Sequence, residues 1–359
     1  MSAIRLYDTW LQWIRKSLPH ERITRVRNLA WLIVGIYLSQ SVHLARIGSQ
    51  LPFRVNLTSV TARLTRFLQN DAFRVRRWYR PLAEALLRPA AAQGVVRLIV
   101  DGSKVSAHHQ LLMVGLAYRK RALPIAWTWV PGARGHSSAM AQLALLRYVY
   151  SLLPAQTQVL LVGDCEFGAI ALLQQLHAWR WHYVLRQRGN LLVCVDQEAR
   201  WQHLEQLLPC KGKVFWYPHA LLTEQLWHCS LLCYWRRGEK EPWFLATNLA
   251  DSVAVLHAYA RRMWIEEMYG DWKGHGVRLE QTHLCHVQRL ARLTFAVALS
   301  YLWLVTTGSQ TIKQGRRRWV DRKERRDLSI FRIGLYIITR CCACELPLSV
   351  HMIPYFYKL

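Results

Sequence analysis

Apolar positions fall into three regimes along the chain. Up to about residue 92 they recur at helical spacing. The run VTARLTRFLQ follows Asn56-Leu57-Thr58-Ser59, which offers Thr58 or Ser59 as an N-cap. AFRVRRWYRPLAEALL repeats the spacing, with Arg74, Arg76, Arg77 and Arg80 between its apolar positions. From Gly94 the pattern becomes short apolar runs. GVVRLIVDGS, LLMVGLAYRK and ALPIAWTWVPG read as three strands, the last two joined by a basic hairpin turn. SSAMAQLALLRYVYSLLP reads as a helix opened by Ser137 and Ser138, and TQVLLVGDCEFGA as a strand leading to Asp164. The helix AIALLQQLHAW and the strand WHYVLRQR follow. This order predicts a mixed sheet with helices on its faces.

Between about residues 189 and 250 the runs LLVCV, KVFWYPHALL, LWHCSLLCYW and PWFLATNL predict short strands that interrupt the α/β order as an inserted β subdomain. From Asp251 helical spacing returns. The pattern therefore predicts a helical domain over 1–92, an α/β domain over 93–280 carrying the β insertion, and a helical region over 281–359. The two longest apolar runs, Leu29–Ser39 and Leu293–Thr307, fall short of the roughly 20 residues that cross a bilayer. Arg27, Arg289 and Arg292 flank them closely, so buried core helices are expected and no membrane partner.

Charge narrows the partners. The 359 residues carry 48 Lys+Arg against 22 Asp+Glu, a net charge of +26. Such a field attracts polyanions, nucleic acid first among them. Residues 1–92 hold 15 of the cations against four acids, which suits phosphate contact by helices as well as a solvated face. A second basic stretch, Lys313–Arg326, reads as a loop or a DNA-facing arm. The start MSAIRLYDTW lacks an apolar export signal, and the nine Cys lack disulfide spacing, so a reducing cytoplasm beside the nucleoid is expected. Cys341, Cys342 and Cys344 cluster without the second ligand pair that a zinc site needs.

Acids are few, which makes their placement informative. Asp101 follows the apolar run VVRLIV, and Asp164 follows VLLVG. On neighbouring strands the two carboxylates would lie side by side, and a divalent cation relieves such repulsion. Oxygen-only donors suit Mg²⁺ or Mn²⁺, although a turn or helix cap explains each Asp as well. At 100° per residue on one helix, Arg262, Glu266 and Lys273 lie within about 60° of Tyr259. That stripe is either a solvated face with an Arg–Glu pair or a carboxylate flanked by phosphate-gripping cations.

The spacing Tyr259-(2)-Arg262-(3)-Glu266-(6)-Lys273 resembles the Y-(2)-R-(3)-E-(6)-K signature of the insertion-sequence-4-type DDE transposases. IVDGSKV and LVGDCEFGA resemble that family's two Asp blocks, and RRDLSIFRIGLYIITR its tail. The resemblance spans roughly Gly94 to Gly276. It implies an RNase H-like mixed sheet with a β-rich insertion, preceded by a small all-α domain that binds terminal repeats and followed by a helical region. It implies Asp101, Asp164 and Glu266 as catalytic and metal-binding residues holding two Mg²⁺ or Mn²⁺ ions. Tyr259, Arg262 and Lys273 would contact phosphates, and Trp243 would stack on a flipped base. The implied reaction is hydrolysis at the ends of an insertion sequence and transfer of the freed 3′-OH into target DNA, in some relatives through a hairpin. The implied partners are double-stranded DNA and, when two ends are bridged, a second copy of the chain. Where some relatives carry a further Lys, this chain has Gly270, which leaves Arg261 or Arg278 to supply the contact. A different nuclease on the same fold, or a non-catalytic DNA-binding descendant, are the competing readings.

Overall fold

The first apolar spacing becomes five helices: α1 (Ser2–Ser17), α2 (Ile23–Ser39), α3 (Leu44–Ser49), α4 (Leu57–Gln69) and α5 (Val75–Ala91). Then come β1 (Val95–Lys104), β2 (His109–Tyr118), β3 (Arg121–Pro131), α6 (Ala139–Tyr150), β4 (Gln158–Gly163), α7 (Ile170–Ala178) and β5 (His182–Arg186). The strands β6 (Leu192–Cys194), β7 (Trp201–His203), β8 (Val214–Leu222), β9 (Trp227–Tyr234) and β10 (Trp243–Thr247) follow. The chain ends in α8 (Ser252–Ala260), α9 (Met263–Gly270), α10 (Val287–Lys313) and α11 (Ile330–Ala343). The computed structural model describes residues 2–105, 109–132, 137–195, 200–208, 210–223 and 225–356. They divide into two units.

The unit between Ala90 and Glu267 is built on one sheet in the order β3-β2-β1-β4-β5-β10-β9-β8-β6-β7. β1, β4 and β5 are mutually parallel, and β2 runs antiparallel to β1. The central strands read as unbroken apolar runs because both of their faces are covered. Thus β1 is buried from Leu98 to Ser103 and β4 from Val159 onward. The predicted basic hairpin forms, with Arg119 and Lys120 both at positive φ, 43° and 62°. Two successive positive φ values match the twist of a two-residue hairpin, a conformation usually left to Asn and Gly. α7 makes the crossover from β4 to β5, and α8 packs on the same two strands. The strands from 189 to 250 do not form a separate subdomain. β10 pairs with β5, Ala246 opposite Leu185, so the insertion extends the same sheet. The unpaired edge of β5 supplies the reason: a strand edge is completed wherever a partner can reach it.

The other unit gathers the helices before Pro89 and those after Met268. The sequence separates these as two regions, yet they share one core. Trp10 of α1 and Tyr37 of α2 both pack edge-on against Trp303 of α10, at 5.4 and 5.6 Å between ring centres. The Thr58 or Ser59 cap expected for α4 is instead Asn56, whose side chain accepts from Thr58 N. α10 is longer than its apolar run. Its 27 residues make it the one helix among those described that is long and apolar enough to cross a membrane, and 89% of that apolar window is buried in the protein. Arg292 is not a flank but a buried cation. It donates to the carbonyls of Leu68 (2.8 Å) and Phe73 (3.1 Å) and pairs with Asp71 at 2.8 Å. α10 and α11 cross at a pair of glycines. A Cβ at Gly334 would stand 1.8 Å from Leu304 O, and one at Gly308 would stand 2.0 Å from Ile330 O.

Candidate active site

Strand register places Asp101 and Asp164 just beyond one paired position. β1 and β4 pair in parallel up to Val100 opposite Gly163, and the two Asp are the next residue on each chain. Neighbouring strands lie about 4.8 Å apart, and in-register residues point to the same face. Asp101 is not at a strand end as the sequence suggests. β1 runs on to Lys104 because its pairing with β2 continues, Lys104 opposite Gln110, after β4 has turned away. Asp101 is therefore only 1% exposed. Asp164 leaves β4 in an extended conformation and caps the short 3-10 helix Cys165–Phe167, its Oδ1 accepting from Glu166 N at 2.9 Å.

The Tyr259-to-Lys273 stripe does not lie on one helix. α8 ends at Ala260, the amide of Arg262 donates to Tyr259 O (2.8 Å), and α9 starts at Met263. Beyond Gly270 the winding widens to a π turn over Asp271–His275. Both breaks invalidate the constant 100° step. What survives is the i,i+4 pair: Arg262 Nη2 lies 2.5 Å from Glu266 Oε1. The same guanidinium places Nη1 3.9 Å from Asp101 Oδ1. Arg262 thus hydrogen-bonds Glu266 and stands at ion-pair distance from Asp101 while itself largely buried, its side chain 13% exposed. Burial opposes its charge, but Tyr259, Asp101 and Glu266 together outweigh burial and raise its pKa. Lys273 falls in the other unit, where its Nζ is 3.1 Å from Glu280 Oε1.

Tyr259 is buried, and burial pushes its phenol up to about 12 against the pull of Arg262 and Arg186, so it remains a protonated donor at neutral pH. Asp164 and Cys165 are close enough to add to the rise. Trp243, the first residue of β10, is half-buried. Its ring meets Tyr259 edge-on at 4.9 Å and its cross-strand neighbour Tyr234 at 5.9 Å. Such aromatic pairs contribute about 0.5–1.5 kcal/mol each beyond area burial. At Gly270 an added Cβ would meet nothing within 4 Å.

One acid escapes the sequence reading. Glu166 accepts from Ser137 N at 2.9 Å, from the Ser137 hydroxyl in a shorter bond, and from Gln110 Nε2 at 3.0 Å through both oxygens. Its position two residues after Asp164, in DCEFG, was the available signal.

Among the described residues no group of three or more His, Cys, Asp or Glu stands close enough to enclose a metal ion, at the carboxylates or at the Cys341–Cys344 cluster. The cation between Asp101 and Glu266 is instead the Arg262 guanidinium. The donor chemistry nonetheless fits a hard divalent ion. Asp101 is buried, and Asp164 follows the last residue of the neighbouring parallel strand; carboxylates placed so need positive charge beside them. Of the three groups around the Arg262 guanidinium, Glu266 is the most accessible, its side chain 35% exposed against 2% for Asp101.

Residues 94–303, more than half of the chain, match the family model described as "Transposase DDE domain". Among solved structures, the chain is similar to one in "Cryo-EM structure of piggyBac transposase synaptic complex with hairpin DNA". The TM-score is 0.44 at 10% identity, covering 95% of this chain and 78% of that one. No curated protein sequence matches.

Proposed function

This chain belongs to the transposase DDE domain family, whose members are metal-dependent, DNA-cleaving enzymes, and we propose that Asp101, Asp164 and Glu266 are its catalytic carboxylates. The observation that supports the assignment is placement: Asp101 and Asp164 each follow the last residues paired between β1 and β4, Val100 and Gly163, and the Arg262 guanidinium lies 2.5 Å from Glu266 and 3.9 Å from Asp101. A mixed sheet with one Asp on β1 and the other just past the end of the parallel strand β4 also supports an RNase H-like fold. The spacing from Tyr259 to Lys273 supports membership of the insertion-sequence-4-type subgroup.

The substrate in this reading is the pair of terminal inverted repeats of an insertion sequence. The ends are cut, and the freed 3′-OH groups are joined to target DNA. Two Mg²⁺ or Mn²⁺ ions held by the three carboxylates would supply an activated water and neutralise the leaving 3′ oxygen. Arg262 holds Glu266 and Asp101 until a backbone phosphate competes for its planar donor fork, which suits bidentate phosphate contact. The Lys273–Glu280 pair is partly exposed, is worth at most about 1 kcal/mol, and yields readily to a phosphate. Tyr259 donates its phenolic proton and braces Trp243. Arg74, Arg76, Arg77 and Arg80 are all exposed on or beside α5 and supply a surface for the terminal repeat. A dimer bridges two ends, and the work is done at the nucleoid in the cytoplasm.

The test is a joining assay with the full chain, Mg²⁺, a target plasmid, and labelled DNA carrying the inverted repeats that flank the reading frame. Covalent transfer of label into the plasmid is expected. Nicking without joining would make the protein a nuclease, and binding without nicking would make it a DNA-binding descendant.

Trp243 is assigned to stacking on a flipped base at a hairpin end. Stacking is worth about 1–3 kcal/mol, so Trp243→Ala lowers hairpin yield roughly 5–150-fold in a denaturing-gel assay, while Trp243→Phe keeps a ring face and loses less. Equal yield from Trp243→Ala and the parent chain removes the stacking role.

A further inference from the structure

Glu166 has the composition of a catalytic group and the surroundings of a structural one. Both carboxylate oxygens receive donors from other segments: Gln110 on β2, and Ser137 ahead of α6. A metal ligand or general base needs a lone pair turned to the reacting atoms; here Oε1 takes three donors and Oε2 one, all from the protein. The backbone of the same residue is held at both ends. Its N–H donates to Asp164 Oδ1 at 2.9 Å, and its carbonyl accepts from Nε2 of the buried Gln142 at 3.0 Å. Gln142 Nε2 also lies 3.0 Å from Ser137 Oγ, which closes the network.

The network reaches the other Asp strand as well. Gln110 pairs with Lys104, three residues beyond Asp101. A Cβ at Gly102 would stand 1.9 Å from Gln110 Nε2 and 2.9 Å from Glu166 Oε2. Only glycine at 102 therefore lets Gln110 reach Glu166 across β1. Gly102 and Glu166 meet at this clamp, one residue after Asp101 and two after Asp164 in the chain.

We infer that Glu166 is a positioning residue: it locks the turn after β4 so that Asp164 is aimed beside Asp101, and it does not itself bind the metal. The inference rests on the reading of Asp101 and Asp164 as metal ligands. Outer-shell partners of metal ligands, when replaced, cost about 10–100-fold in metal affinity. Glu166→Gln keeps the volume but turns an NH₂ toward donors.

The test measures Mn²⁺ binding to the full chain by electron paramagnetic resonance of the free ion, with melting temperature and metal-free DNA binding measured alongside. Glu166→Gln is expected to bind Mn²⁺ about 10–100-fold more weakly, with metal-free DNA binding kept and melting lowered but still cooperative, while Asp164→Asn abolishes binding. Unchanged Mn²⁺ affinity in Glu166→Gln, with binding lost in Asp164→Asn, overturns the inference alone. Complete loss in Glu166→Gln, equal to that in Asp164→Asn, makes Glu166 a ligand and also overturns it. Unchanged affinity in Asp164→Asn overturns the metal-site reading and this inference with it. If Glu166→Gln does not fold, Ser137→Ala decides. A weaker Mn²⁺ affinity supports the clamp, and the parent affinity overturns it.

Discussion

Asp101→Asn, Asp164→Asn and Glu266→Gln are each expected to lower Mg²⁺-dependent nicking of end DNA by at least about 10³-fold, while leaving DNA binding in place. The size follows from what a bound ion contributes, several kcal/mol of charge stabilisation, at about 1.4 kcal/mol per tenfold in rate. The amides keep each side chain's volume, so the loss reports chemistry rather than packing. This matters most at Asp101, which sits mid-strand and 1% exposed. Glu266→Gln has the mildest structural effect of the three. Its side chain is 35% exposed, and Arg262 retains Asp101 and Tyr259 as neighbours. A gel assay with labelled end DNA reads all three, and undiminished nicking by any one variant removes that residue from the triad.

Gly334→Ala is expected to destabilise the protein by about 3 kcal/mol, by analogy with overpacked cores. The sign is the informative part. In a helix interior, Gly→Ala alone stabilises by about 1 kcal/mol. At Gly334 the new methyl would stand 1.8 Å from Leu304 O and 2.7 Å from Leu304 C, and both are backbone atoms of α10 that cannot rotate away. The helices must then part, and α11 loses packing against α10 along its length. Chemical denaturation of the parent and the variant measures the difference. A more stable variant would mean that α10 and α11 do not cross at their glycines.

The parts of the fold legible in the sequence are those with a local signature. β1, β4 and β5 are short apolar runs, the hairpin is marked by its basic turn, and Asp101 and Asp164 stand out as acids after apolar strands in an acid-poor chain. Their adjacency rested on a register that one chain does not encode locally. The illegible parts depend on long-range contacts or small backbone changes. Trp10 meeting Trp303 leaves no periodic trace, so the first and last helices read as separate regions. The break at Arg261–Arg262 costs the pattern nothing, because Arg262 and Glu266 still pair within one turn, and a helical wheel drawn through it misplaces Tyr259 and Lys273. The insertion strands are legible as strands but not as a continuation of the sheet through β10. Glu166 stayed hidden because a second acid in DCEFG reads as a solvated loop residue until Ser137 and Gln110 are placed beside it.

The proposed activity depends on a divalent ion held by Asp101 and Asp164. Anomalous diffraction from crystals of the full chain grown with Mn²⁺ and end DNA locates that ion directly. The expected peaks lie within ligation distance of the Asp101 and Asp164 carboxylates, with Glu266 drawn off Arg262 to complete the set. Mn²⁺ bound elsewhere, with Arg262 still pairing Glu266 while DNA is in place, would contradict it.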